Sequence, residues 1–327
     1  MAYITISKDN FYHNLQQINK LVALDKIAIV LKDNAYGHGL EIIAKLSYEY
    51  GIKHCVVKSI YEAEKIKEYF ETILILNDTP IEDTKFYFAI NSIEALRDIN
   101  NKAKIELKID TGMHRNGIDM LQVDEAIDII KKKNLNLVGV MSHTKSSDEL
   151  STELFWQEKN FDIVLDKFVE FNNIRTHLYN SSAILRNKHS KYDIIRVGIG
   201  AYGYNELDKV FNPIKLNPVL SLYAKRTATR YLDANSRVGY GGDSTYHGVV
   251  STYDIGYGYG WLRDTKDMYI NNNIKIIGRV SMDFISINAQ ENELCILINA
   301  KKVAQYCNTI SYEILTNLNS NIERRVV

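Results

Sequence analysis

Cysteine and proline are scarce in this chain of 327 residues, which has three of each. Its cysteines, Cys55, Cys295 and Cys307, are far apart and form neither a Cys-x-x-Cys pair nor part of a His-rich cluster. We therefore predict no metal site and expect the cysteines to be reduced and mostly buried.

An excess of charge of either sign is also missing, because 40 basic residues balance 40 acidic ones. A formal net charge of zero gives no long-range attraction to nucleic acid or to an anionic membrane. The sequence therefore predicts no nucleic-acid partner and favours a small-molecule substrate.

Long apolar runs are absent as well, and none approaches the roughly 18 residues that a membrane helix needs. The beginning, "MAYITISKDN", lacks the basic and apolar regions of a signal peptide. We expect a globular cytoplasmic protein without a membrane segment.

Short apolar runs alternate with segments of helical period through the first two thirds of the chain, which is typical of parallel βαβ units. Eight runs are candidate strands: "IAIVLK" from Ile27, "HCVVK" from His54, "ILIL" from Ile73, "FYFAI" from Phe86, "IELKID" from Ile105, "LVGVMS" from Leu137, "HLYNSS" from His177 and "IIRVGI" from Ile194. Eight such units favour a (β/α)8 TIM barrel, with an open doubly wound sheet as the alternative.

The pattern changes after Pro213 and Pro218, which bracket "NPIKLNP". Beyond them, apolar and polar residues alternate, as in "KIIGRVSMDFISI". We predict a barrel domain over residues 1–217 and a mostly β C-terminal domain over 218–327, with the first few residues left open to either domain.

Polar residues mark the carboxyl ends of five predicted strands, where the active site of a TIM barrel forms. They are Lys32, Lys108, His143, the pair Asn180 and Ser181, and Arg196. Taken singly, each has a simpler interpretation, such as a salt bridge, a structural histidine or a helix cap. Together they predict a site.

A lysine at the mouth of a barrel can act as a point charge, as a general base, or as a Schiff-base former with a carbonyl cofactor. The glycines of "RVGIGAYG" let backbone N–H groups approach a phosphate, and Ser181 and Tyr36 offer hydroxyl donors. This combination points to pyridoxal 5'-phosphate.

At these residues the sequence resembles the alanine racemases, a two-domain family of fold type III that depends on pyridoxal phosphate. "VLKDNAYGHG" is similar to the family's "VxKANAYGHG", with Asp33 in place of a small residue. Further similar motifs follow in family order: "LKIDTGMHRNG", "SHT", "YNSSA", "RVGIGAYG", "VGYGGDST", "GRVSMD" and "YEIL". They span nearly the whole chain. Two segments differ from the family pattern, "SHTKSSDE" and "GYGYGW", which leaves the substrate preference open.

The resemblance implies two catalytic residues. Lys32 would hold the cofactor as a Schiff base and act as the base on one face of the substrate, while Tyr240, from the C-terminal domain of the partner subunit, would act on the other face. The expected active unit is therefore a homodimer with shared active sites.

The resemblance also implies the supporting residues. Arg196 would donate to the ring nitrogen of the cofactor, and His143 would contact the tyrosine. Arg115 and the backbone of Met282 would meet the substrate carboxylate, with Lys108 and Asp283 as outer supports; whether Lys108 is carbamylated stays open. The other cofactor-binding residues would be Tyr36, Asn180, Ser181, Gly198, Ile199 and Tyr312.

The implied function is the interconversion of L- and D-alanine, which supplies D-alanine for peptidoglycan. A racemase of broader specificity, for serine as an example, is the alternative. A decarboxylase of fold type III and a non-catalytic pyridoxal phosphate carrier are less favoured, because the decarboxylase needs an active-site cysteine and the carrier is usually a single barrel.

Overall fold

A computed structural model describes residues 1–211, 214–242, 244–271 and 273–327. Pro213, one of the two prolines at the predicted boundary, lies outside the described residues. The chain divides into two compact units. We name them the barrel unit, residues 12–35 and 40–216, and the β unit, residues 1–11, 36–39 and 217–327.

The strands, in chain order, are β1 (Tyr3–Ile6), β2 (Ile27–Val30), β3 (His54–Val57), β4 (Thr72–Ile75), β5 (Phe86–Ile90), β6 (Lys104–Asp110), β7 (Ile118–Asp119), β8 (Asn136–Met141), β9 (Arg175–His177), β10 (Ile195–Val197), β11 (Leu220–Leu232), β12 (Arg237–Val238), β13 (Ser244–Thr245), β14 (Gly248–Tyr253), β15 (Ile285–Ile287), β16 (Glu293–Leu297) and β17 (Glu323–Val326). The helices are α1 (Lys8–Asn19), α2 (Leu40–Tyr50), α3 (Ile60–Ile66), α4 (Ile93–Asp98), α5 (Val123–Lys133), α6 (Glu153–Leu165), α7 (Ser181–Asn187), α8 (Ala300–Tyr306) and α9 (Ser311–Asn317).

The barrel unit contains eight parallel strands in the order β10-β2-β3-β4-β5-β6-β8-β9. Between β9 and β10, the N–H of Ile194 donates to the carbonyl of Thr176 (3.1 Å) and that of Arg196 to the carbonyl of Tyr179 (3.0 Å). These bonds bring the two ends of the sheet together. The prediction of a (β/α)8 barrel followed by a mostly β domain is confirmed.

Several predicted strands have wrong boundaries, and two of these differences bear on the site. The strand predicted to begin at His177 ends there, because Asn180 caps α7 and its Oδ1 accepts the N–H of Ala183 (2.9 Å). The first barrel strand was predicted to include Lys32 but ends at Val30, because the chain turns sharply after Leu31.

The β unit is built on a sheet of strand order β15-β14-β11-β1-β17, with β16 paired to β11. The strand β1 runs antiparallel to β11 and parallel to β17, which places the first residues of the chain in this sheet. Residues such as Ile4, Leu222 and Ile287 are fully buried in its core. Within the described ranges, no helix is long and apolar enough to cross a membrane.

Candidate active site

A left-handed turn follows the first barrel strand. Residues 33–36 all have φ between 51° and 55°, a conformation that costs non-glycine residues roughly 1–2 kcal/mol each. Local hydrogen bonds offset part of this cost: the N–H of Ala35 donates to the carbonyl of Leu31 (2.8 Å), and Asn34 Oδ1 accepts the N–H of Leu40 (2.9 Å). Strain of this kind is typical of functional sites.

Lys32 lies directly before this turn and is half-buried at the carboxyl end of β2. The neighbouring Asp33 pairs through its carboxylate with Lys58 (2.9 Å), and its N–H donates to Glu62 (2.8 Å). Asp33 therefore lies in the turn and not in a strand, and its carboxylate is engaged by Lys58.

Four cations gather around His143 at the strand ends. Burial lowers the pKa of His143 well below its ordinary value, and Arg196, Arg115, Lys108 and Lys32 lower it further. The pKa of Lys108 falls to about 8, chiefly through burial and then through Arg115 and Arg196. Among the predicted strand-end residues, Arg196 and His143 are in direct contact, with a guanidinium nitrogen 3.2 Å from His143 Nδ1. A cluster with this charge, around a neutral imidazole, is suited to an anionic ligand.

Lys108 and Arg115 differ in their surroundings. Lys108 is buried in β6 and donates from Nζ to Asn116 Oδ1, while Arg115 is exposed. Asn116 was not predicted as a site residue, although its place next to Arg115 in "HRNG" was a signal.

Arg196 is buried and held on several sides. Its guanidinium donates to the backbone carbonyls of Ser142 (2.6 Å) and Leu178 (3.2 Å) and lies 3.2 Å from His143 Nδ1. Burial lowers its pKa to about 10, so it is a permanent cation near neutral pH. A guanidinium fixed in this way can donate a hydrogen bond but does not readily release a proton.

Ser181 organises the glycine-rich loop after β10. Its Oγ accepts the N–H groups of Gly198 (2.9 Å) and Gly200 (3.2 Å). Because the Ser181 oxygen is the acceptor in both bonds, its hydroxyl proton remains available for donation to an anion. Ile199, between the two glycines, is buried.

The other predicted residues belong to the β unit. The rings of Tyr36 and Tyr312 are in contact, with centroids 5.8 Å apart. Tyr240, Met282 and Asp283 are exposed, and the carbonyl of Met282 accepts the N–H of Gly258 (2.9 Å). The structure thus places Arg196 in contact with His143, Ser181 with Gly198, and Tyr36 with Tyr312.

A buried polar chain below Arg196 was missed by the sequence analysis. His177 Nδ1 lies 2.7 Å from an Arg196 nitrogen, and His177 Nε2 lies 2.6 Å from Glu106 Oε2. Glu106 also accepts a hydrogen bond from Arg175. The signal was present in "IELKID", since Glu106 and Lys108 are two residues apart in one strand and therefore point to the same face.

In the described part of the chain, no group of three or more His, Cys, Asp or Glu side chains is placed to hold a metal ion. The three cysteines are free, with Cys55 buried and the other two partly exposed.

Two family models match the chain over nearly its whole length. The alanine racemase N-terminal domain matches residues 6–206, and the alanine racemase C-terminal domain matches residues 219–326.

Individual proteins agree with these models. The alanine racemase of a Nitratiruptor species is 43% identical over 332 residues, covering 99% of either chain. A crystal structure of alanine racemase from Bacillus anthracis with bound L-Ala-P superposes with a TM-score of 0.91 at 26% identity, covering 100% of this chain and 95% of that one. That of Bartonella henselae, with covalently bound pyridoxal phosphate, has a TM-score of 0.86, covers 100% of this chain and 99% of its own, and at 24% identity supports the fold alone.

Proposed function

The chain belongs to the alanine racemase family, and from this premise we propose that it interconverts L- and D-alanine with pyridoxal 5'-phosphate as cofactor. The observation that carries the proposal is the cluster of Lys32, Lys108, Arg115 and Arg196 around neutral His143. Its positive charge suits the carboxylate of an amino acid.

The cofactor, when bound, supplies an electron-withdrawing ring that makes the α-hydrogen of an amino acid acidic. The chain supplies the groups that move the proton. We assign Lys32 as the base on one face of the substrate α-carbon and Tyr240 of the partner subunit as the base on the other face. Two opposed bases are what an inversion needs, because one removes the proton and the other returns it.

The remaining assignments follow from the resemblance to the family. Arg196 would donate a hydrogen bond to the ring nitrogen of the cofactor, and His143 would contact the catalytic tyrosine. Arg115 and the backbone N–H of Met282 bind the substrate carboxylate, with Lys108 and Asp283 supporting them. The phosphate and ring would be held by Tyr36, Asn180, Ser181, Gly198, Ile199 and Tyr312.

The proposal extends to the assembly and its setting. Because Tyr240 would serve the neighbouring active site, the working unit is a homodimer that shares its sites. We place it in the cytoplasm, where its product, D-alanine, would supply peptidoglycan synthesis.

The test is an activity panel on the purified protein with pyridoxal phosphate. We expect interconversion of the alanine enantiomers at a higher kcat/KM than for serine or any larger amino acid. Faster turnover of serine would indicate a broader racemase, and release of carbon dioxide from lysine or ornithine a decarboxylase. Cofactor binding without turnover of any amino acid would indicate a carrier and refute the proposal.

A further inference from the structure

Glu106 is a carboxylate placed where a barrel interior rarely accepts one. It lies in the middle of β6 and is fully buried. Its two oxygens have different partners, since Oε1 accepts from Arg175 and Oε2 lies 2.6 Å from His177 Nε2. A buried charge needs such partners to offset its desolvation.

The barrel makes room for this carboxylate at Gly139. Glu106 and Gly139 are register partners in β6 and β8, where the pairing is irregular. A Cβ on Gly139 would stand 3.0 Å from both Cγ and Cδ of Glu106 and 2.9 Å from the carbonyl oxygen of Arg175. Gly139 therefore leaves the space that the Glu106 side chain occupies, and a larger residue at this position would collide with it.

Glu106 and Arg196 lie on either side of His177, and both are charged. Burial alone would raise the pKa of Glu106, but Arg175 and His177 outweigh it and hold the pKa at about 2. Glu106 is therefore ionised and can only accept hydrogen bonds, while Arg196 can only donate. Burial lowers the pKa of His177 to about 4 despite the carboxylate, so the imidazole between them is neutral.

A neutral imidazole has one N–H and one lone pair, and this site permits only one arrangement. The proton must be on Nε2, facing Glu106, and the lone pair on Nδ1, facing Arg196 at 2.7 Å. The reverse tautomer would set a donor against the guanidinium and a lone pair against the carboxylate.

We propose that Glu106 is a positioning residue for the reaction, which fixes His177 as the Nε2–H tautomer and through it holds the Arg196 guanidinium in place. The same guanidinium contacts His143 Nδ1 at 3.2 Å, so its orientation determines the contact with His143, a predicted site residue. Only this last step, the effect on turnover, rests on the proposed function. The tautomer is a property of the barrel itself.

The test is ¹⁵N solid-state NMR of the histidine-labelled holoenzyme combined with steady-state kinetics. The chain has eight histidines, and the signals of His177 are identified by their loss in His177→Asn. In the unmodified enzyme we expect a protonated Nε2 and a bare Nδ1. In Glu106→Gln only one of the two terminal atoms is an acceptor, so Arg175 and His177 cannot both be matched and part of His177 should convert to the Nδ1–H form.

The kinetics test the consequence for turnover. Glu106→Gln should lower kcat about tenfold or more and change KM less, as is typical of outer residues that orient a working group. Glu106→Asp keeps a carboxylate and should recover both the tautomer and most of kcat. Glu158→Gln is the matched control, because Glu158 accepts from Tyr179 and Asn187 and has no bond to His177 among its described contacts.

Three results would overturn the proposal: His177 of the unmodified enzyme as the Nδ1–H tautomer, an unchanged tautomer in Glu106→Gln, or an unchanged kcat in that variant. The first does not depend on Glu106→Gln, so a misfolded Glu106→Gln leaves the idea testable. Absence of racemisation by the unmodified enzyme would refute the proposed function instead, and the NMR result would stand apart from it.

Discussion

At the scale of single residues, the position of Lys32 at a strand end, before a left-handed turn, separates it from the other lysines of the chain. Its place at a strand end was predictable from "VLKDNAYGHG", because an apolar run followed by a glycine-containing turn indicates a strand leaving a parallel sheet. The left-handed turn at residues 33–36 was not predictable, because Ala35 and Tyr36 ordinarily avoid positive φ and Asp or Asn adopts it as a single residue and not in a run.

Lys32→Ala should abolish both racemisation and the visible absorbance of the bound cofactor, because no other amine is assigned to hold it. The measurement is an absorbance spectrum with added pyridoxal phosphate, followed by the alanine assay. Lys131→Ala is the control, since Lys131 is exposed and pairs with Glu170 on the barrel surface. Retention of the cofactor band in Lys32→Ala would show that another lysine carries it.

Gly37→Ala should destabilise the protein by about 3 kcal/mol or more. Gly37 has φ of 78°, and an added Cβ would lie 2.0 Å from the carbonyl oxygen of Leu315, a contact with backbone that cannot move aside cheaply. Denaturant unfolding measures the change. A loss under 1 kcal/mol, roughly the ordinary cost of positive φ alone, would mean that the backbone near Leu315 relaxes.

At the scale of elements, the strands were easier to predict than their ends. All eight barrel strands overlap their predicted runs, because Val, Ile and Leu clusters bounded by turns are specific to buried parallel strands. The strand β9 was displaced because capping of α7 by Asn180 ended it early, and a cap competes with a strand for the same backbone groups. The contact between Glu106 and His177 depends on the register of the barrel strands, which cannot be predicted from the sequence.

The buried series of Glu106, His177 and Arg196, on β6, β9 and β10, makes the free energy of unfolding depend on pH. The pKa of His177 is about 4 against an ordinary 6.5, and that of Glu106 is about 2 against 4.5. In both cases the unfolded chain takes up a proton at a higher pH than the folded protein does. Stability is therefore complete above pH 6.5 and falls as the pH decreases, first through His177 and then through Glu106.

The expected loss between pH 6.5 and pH 4 is on the order of 3 kcal/mol from His177 alone. Denaturant unfolding at a series of pH values measures it. His177→Asn should reduce the dependence in this range and leave the part due to His143, whereas His247→Asn, which changes an exposed histidine bonded to Tyr231, should leave it unchanged. Equal slopes in the two variants would contradict this assignment.

At the scale of the whole molecule, the order of motifs along the chain carried the functional interpretation. Single residues such as Tyr240 or Met282 are exposed and would attract no attention by themselves. Their roles were inferred from collinear motifs and not from local chemistry, since a site completed by a partner subunit leaves no trace in the composition of one chain.

Sharing of active sites predicts complementation between two inactive variants. Lys32→Ala and Tyr240→Phe are each expected to lack racemase activity, but a mixed dimer would contain one site with both residues intact. After the subunits are mixed and allowed to exchange, activity should rise to about a quarter of the unmodified level, as random pairing requires. No recovery, with exchange verified by differently tagged subunits, would show that Lys32 and Tyr240 act within one chain.

The most direct test of two opposed bases is α-hydrogen exchange in heavy water, followed separately from L-alanine and from D-alanine. Tyr240→Phe should retain the absorbance of the bound cofactor and block exchange from one enantiomer far more than from the other, because Lys32 still serves its own face. Equal loss of exchange from both enantiomers would contradict the assignment of Lys32 and Tyr240 to opposite faces.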